Sequence, residues 1–149
     1  MKRAPKANPG SRQTGGKSAT TKVLYVEHDN DNLYMLKRRL ERCNDFEVLA
    51  AEDSEQGRKL AVTELPDVIL LDLEMPVVDR WEPVRTLKED PRTRSIPIIG
   101  ISAYAEASER EKAMATGCDE FDAKPIEFES LITTVRRVLA KPNRCSPTR

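Results

Sequence analysis

Long apolar runs are missing from this 149-residue sequence, so nothing in it reads as a membrane span. The charged N-terminus is followed by no apolar segment of the kind a secretory signal needs. Cysteine is scarce. Cys43, Cys118 and Cys145 are odd in number and lack metal-type spacing, which points to reduced thiols and away from a disulfide framework or a zinc site. Together these absences set the expectation of a soluble, cytoplasmic protein. Aromatic residues are only 5% of the chain, and none lies among the bases of the first 22 residues, which argues against a single-strand nucleic-acid surface there. Acids are absent from both ends. Residues 1–22 carry Lys2, Arg3, Lys6, Arg12, Lys17 and Lys22, and residues 141–149 carry Lys141, Arg144 and Arg149. The zero net charge therefore leaves 16 bases against 25 acids for residues 23–140, a net charge of −9. A body that acidic disfavours phosphate ligands unless a cation intervenes.

What is present sorts into three parts: a basic tail rich in Gly, Pro, Ser and Lys over 1–21, a patterned body over 22–140, and a second tail over 141–149. The first tail has no aliphatic stripe and is expected to stay flexible. Within it "SRQTGGKS" nearly spells a phosphate-binding loop. Ser11 stands where the pattern wants glycine, no strand precedes it and no amphipathic helix follows, so that reading is rejected.

The body alternates. Short β-branched runs occur at 22–26, 46–51, 67–73, 96–102 and, more weakly, 120–123. Helical patterns follow at 32–43 (Leu33, Leu36 and Leu40 in register), 54–64 with Ser54 as a plausible N-cap, 82–89, 105–116 ending at Gly117, and 127–140. Strand runs that are apolar on both faces, separated by helices, predict a parallel sheet covered on both sides. Right-handed crossovers then bring all five strand C-termini to one edge, where ligands of open α/β sheets bind.

The residues at those ends form a chemical kit. The first strand ends in Glu27, His28 (the only histidine) and Asp29, the third in Asp72 and the fourth in Ser102; Lys124-Pro125 follows the fifth. Acids from two strands can hold a hard divalent cation such as magnesium, which would admit a phosphoryl group. Asp72 is then a candidate nucleophile, with Ser102 and Lys124 as partners for phosphoryl oxygens. Asp29 and Asp31 read first as acids at a helix N-terminus. Trp81 reads as packing, and Tyr104 as an exposed tyrosine or a residue tuning access to the site.

"VLYVEHDND", "LLDLEMPVVD", "IIGISAYA" and "FDAKPI", in that order, resemble the receiver domain of two-component response regulators over about residues 22–140. "GISAYA" and "GCDEFDAKPI" are similar to the single-domain receivers of the DivK type. The resemblance implies a flavodoxin-like (βα)5 doubly wound parallel sheet with strand order 2-1-3-4-5. It implies Asp72 as phosphoacceptor, Ser102 and Phe121 as switch residues, and Lys124 joined to Pro125 by a cis bond. It implies magnesium held by Glu27, Asp72 and the backbone carbonyl of Glu74. It implies a sensor histidine kinase or phosphotransfer protein upstream, a protein target downstream through the fourth helix, fifth strand and fifth helix, no DNA-binding domain, and no enzymatic turnover.

Two positions depart from the family. His28 stands where a second metal-binding acid is usual. It either enters the site, where it would weaken magnesium binding and, if protonated, act as a built-in cation, or it points away and leaves Asp29 or water to complete the shell. Arg80 stands where glycine is usual, with Asp79 and Glu82 spaced for a capping box before Pro83. His28 therefore supports a second reading, a receiver-like interaction module that takes phosphate weakly or not at all. An aspartate-nucleophile phosphohydrolase wants a second aspartate two residues after the nucleophile, where this chain has Glu74. A flavin carrier wants a Ser/Thr/Gly-rich loop after its first strand, where this chain has "EHDNDN".

Overall fold

The computed structural model describes residues 20–104 and 106–140. The tails over 1–19 and 141–149, with the rejected phosphate loop and Cys145, lie outside them. Strands β1 (Thr21–Val26), β2 (Phe46–Ala51), β3 (Val68–Asp72), β4 (Ile98–Ser102) and β5 (Glu120–Ala123) alternate with helices α1 (Asn30–Arg42), α2 (Ser54–Glu64), α3 (Glu82–Glu89), α4 (Ala107–Thr116) and α5 (Phe128–Ala140). All strand pairs are parallel and the sheet order is β2-β1-β3-β4-β5, the order the resemblance implies.

Alternation along the strands divides the core into two layers. Val23 and Tyr25 of β1, Val68 and Leu70 of β3, and Ile99 and Ile101 of β4 pack beneath α1 and α5, against Leu33, Leu36, Leu40, Leu131 and Val135. Leu24, Val26, Ile69, Leu71 and Ile98 face the opposite layer, where Ala61 of α2, Val84 and Leu87 of α3 and Ala113 of α4 close over them. Every residue of β3 and β4 is buried, as continuous apolar runs require.

Several boundaries differ from the pattern. Asp29, not a residue nearer Asn32, starts α1: its Oδ1 accepts the Asp31 and Asn32 N–H groups at 2.9 and 3.1 Å. The cap of α2 is Asp53, not Ser54. Its carboxylate accepts the Gln56 N–H at 2.8 Å, and a charged acceptor suits the positive end of the helix. The capping box predicted at Asp79 and Glu82 does not form. Trp81 occupies the cap of α3 without a side-chain bond. Asp79 instead accepts the Trp81 N–H at 3.0 Å and pairs with Arg85, and its backbone carbonyl takes the Glu82 N–H. The Asp79 carboxylate is thus taken up by the Trp81 N–H and the Arg85 guanidinium.

Candidate functional site

Register places the strand ends level. Val26 pairs with Leu71, Asp72 with Ile101 and Ser102 with Ala123, so Glu27, His28, Asp72, Ser102 and Lys124 all emerge at one sheet edge. Asp72 and Glu27 are almost wholly buried there, 2% and 0% exposed, although both are acids. Buried charge needs partners, and the two carboxylates divide theirs in parallel. Lys124 Nζ lies 3.3 Å from Glu27 Oε1 and 3.3 Å from Asp72 Oδ1. His28 Nδ1 takes the other oxygen of each, at 3.0 Å from Asp72 Oδ2 and 3.7 Å from Glu27 Oε2. His28 thus enters the site, the first of the two alternatives the sequence left open. Asp29 does not complete the cluster through its Oδ1, which is committed to the α1 cap.

Backbone and side-chain donors fix the carboxylates further. Asp72 Oδ1 accepts the Glu74 N–H at 2.8 Å, Glu27 Oε2 accepts the Asp29 N–H at 3.2 Å, and the Tyr25 hydroxyl donates to Glu27 Oε1 at 2.9 Å. Burial and the neighbouring Asp72 charge raise the Glu27 carboxyl above its ordinary range. Burial pushes Asp72 up as well, but the Glu74 N–H, the Glu27 side chain, Lys124 and His28 together hold it below its ordinary range. Burial disfavours the Lys124 ammonium, but the two carboxylates outweigh it and raise its pKa, so Lys124 stays charged. Burial and Glu27 also raise the Tyr25 hydroxyl, which stays a donor.

Ser102 is fully buried beside this group and bonded elsewhere. Its Oγ donates to Glu74 Oε2 at 3.0 Å and accepts the Tyr104 N–H at 2.9 Å, while Ala103 N also donates to Glu74 Oε2. The Lys124-Pro125 bond is cis. Phe121 is 7% exposed and packs into the layer under α4. Tyr104 is exposed, and Trp81 is half-buried against the same layer as Phe121.

Three features were not read from the sequence. The Tyr25 hydroxyl was legible: two residues before Glu27 on a strand, it shares the face of that side chain. The Glu74 carboxylate on Ser102 was hidden, because it depends on the path of the loop after β3. The third is Arg80, whose guanidinium meets buried Glu109 of α4 at 2.6 and 2.7 Å and lies over the Trp81 and Tyr104 rings. Nothing in the spacing of 80 and 109 announces that pair.

The model of the response regulator receiver domain matches residues 23–136. This chain belongs to that family. As a receiver it is 34% identical over 117 residues to the response regulator PleD of Caulobacter vibrioides, covering 78% of this chain but only 26% of that protein. It is 30% identical over 119 residues to the polar-differentiation response regulator DivK of Brucella ovis, covering 80% of this chain and 97% of DivK. Among solved structures, the receiver domain of the sensor histidine kinase PA1611 from Pseudomonas aeruginosa PAO1 superposes with a TM-score of 0.74 at 26% identity. The match covers 83% of this receiver and all of that chain, which was crystallised with a magnesium ion coordinated in its active-site cleft.

The donor set of this receiver fits a divalent cation in two respects and departs in a third. Glu27, His28 and Asp72 each offer an atom within 4.8 Å of the others, and two of the three are the carboxylate oxygens that magnesium prefers. The third is an imidazole nitrogen, which magnesium binds poorly. No described helix is long and apolar enough to cross a membrane.

Proposed function

We propose that this receiver accepts a phosphoryl group on Asp72 from a phosphohistidine of a sensor kinase or phosphotransfer protein and passes the signal to a protein target. The observation that carries the reading is the placement of Asp72, a buried carboxylate at the sheet edge between Lys124 and a second acid, Glu27. Its Oδ1 accepts the Glu74 N–H at 2.8 Å and lies 3.3 Å from Lys124 Nζ, and its Oδ2 lies on the His28 side. An anionic, positioned oxygen is what attack on phosphorus needs. A bond from an Asp72 carboxylate oxygen to phosphorus forms as the N–P bond breaks, and the imidazole of the donor leaves.

A bound divalent cation, magnesium by family likeness, would supply charge neutralisation between the carboxylates and the incoming phosphoryl oxygens. Glu27, Asp72 and the Glu74 carbonyl would hold it. Lys124, already 3.3 Å from Asp72, provides a fixed cation for one phosphoryl oxygen. Ser102 must exchange its bond to Glu74 for a phosphoryl oxygen. That exchange would free Glu74 and Ala103, and so would link the phosphorylation state to the loop before α4. Phe121, packed under α4, would then shift with the α4–β5–α5 face that the target reads. The protein acts as a phosphoryl acceptor and relay, not as an enzyme with turnover. Free Cys43 and Cys118 suit a reducing cytoplasm.

A second reading, an interaction module that takes phosphate weakly, is favoured by one observation: Lys124 and His28 already satisfy both carboxylates. The test for either is intact-mass analysis of the full chain after treatment with a small phosphodonor and a divalent cation. One added phosphoryl group, lost in Asp72→Asn, supports the relay. A label persisting in Asp72→Asn overturns Asp72 as acceptor, and no label in the wild type supports the interaction module.

A further inference from the structure

We infer that the metal site of this receiver selects a late first-row divalent ion, of the cobalt, nickel or zinc class, over magnesium, because His28 is a ligand. The inference rests on the proposed phosphoacceptor site and concerns what occupies it. The sheet edge sorts its donors. Oε1 of Glu27 and Oδ1 of Asp72 face Lys124, which leaves Oε2 and Oδ2 to face His28 Nδ1, at 3.7 and 3.0 Å. Adjacent ligands around an octahedral ion with bonds of about 2.1 Å lie about 3.0 Å apart. Around a tetrahedral zinc with bonds of about 2.0 Å they lie about 3.3 Å apart. His28 Nδ1 therefore stands at a ligand-edge separation from Asp72 Oδ2 and a few tenths of an ångström beyond one from Glu27 Oε2, and ligand atoms of all three residues lie within 4.8 Å of one another, so one ion can replace the contacts between them. The ring meets that ion through the Nδ1 lone pair, with its proton on Nε2. The Tyr25 hydroxyl and the Asp29 N–H hold Glu27 in place from behind, as outer groups hold ligands in metal sites.

Magnesium gains nothing from this nitrogen. It requires oxygen ligands and sheds water reluctantly, so His28 costs it one anionic donor. Later first-row ions bind imidazole well. Most mixed sites favour those ions somewhat, so absolute preference is not the test. The test is how much of the preference depends on residue 28.

His28 is the only histidine in the sequence, so its ring signals in a 15N-labelled full chain report this site alone. Zinc is expected to shift the Nδ1 resonance with saturable binding, whereas magnesium at saturation is expected to leave it near its metal-free position. By calorimetry, His28→Asp should bind magnesium at least tenfold more tightly, and the cobalt-to-magnesium affinity ratio should fall at least tenfold. An unshifted ring under saturating zinc overturns the inference, as does an affinity ratio unchanged within twofold. The ring measurement uses the wild type and so stands even if the variant folds badly. Asp72 labelling is read separately. A chain that binds zinc through His28 but takes no phosphoryl group would sink the relay and keep the metal preference, and the reverse result would do the opposite.

Discussion

Lys124 is the residue on which the site's charge balance depends most. Its ammonium is the one lysine contact to Asp72 and Glu27 among the described residues, and both acids are buried. Lys124→Ala should therefore destabilise the native state at neutral pH by about 1–3 kcal/mol, the usual cost of leaving a buried polar group without its partner. Urea unfolding at pH 7 checks this, and an unchanged midpoint would mean that water replaces the ammonium freely. Asp122 offers the opposite case. Burial raises its carboxyl above the ordinary range, and its Oδ2 is buried without a hydrogen-bond partner. A raised native value favours the protonated acid. The stabilisation it confers is full below the unfolded value and is lost as pH rises through the native one, so at pH 7 the charge is a net cost. Asp122→Ala should be more stable to urea than the wild type at pH 7, with the advantage shrinking toward pH 4. A constant difference across that range would mean that titration has no part in it.

At the scale of elements, the close approach of α2 to β1 depends on Gly57. A Cβ added there would lie 2.8 Å from one methyl of Val26 and 3.3 Å from the other. Val26 is β-branched and buried, so it cannot rotate both methyls clear. Gly57→Ala gains helix propensity of up to about 1 kcal/mol, yet overpacking of about 1–3 kcal/mol should outweigh it. A lowered midpoint in thermal unfolding is the expected result. The same element shows how sequence patterning reads and fails. Apolar periodicity located α2 to the residue, 54–64, because the pattern is set by the core it faces. The cap was misassigned by one position because Asp53 and Ser54 are both good caps, and only the backbone geometry chooses between them. The strand runs at 67–73 and 96–102 exceed β3 and β4 by one or two residues, since burial continues past the strand ends: Leu73 and Ile96 are buried but lie outside β3 and β4.

At the scale of the whole molecule, the sheet order was legible only through the family resemblance, whereas the gathering of Glu27, Asp72, Ser102 and Lys124 was legible because each lies at the end of a strand, and topology alone brings strand ends together. The side-chain bonds among them were not legible. Ser102 bonded to Glu74 and Arg80 bonded to Glu109 depend on loop paths that no periodicity encodes. Glu27, His28, Asp72, Ser102 and Lys124 all lie in the described receiver body. A chain beginning at Thr20 should take label on Asp72 at the full-length rate, and a several-fold loss would show that the basic tail reaches the acidic edge. The Arg80–Glu109 pair has a consequence of another kind. It joins the loop after β3 to α4 across 29 residues of sequence, and so should merge two segments that could otherwise open separately into one cooperative unit of native-state hydrogen exchange. The amides of α4 should exchange in step with those near Trp81. In Arg80→Gly, which restores the residue usual in receivers, the two sets should separate, with α4 the faster of the two.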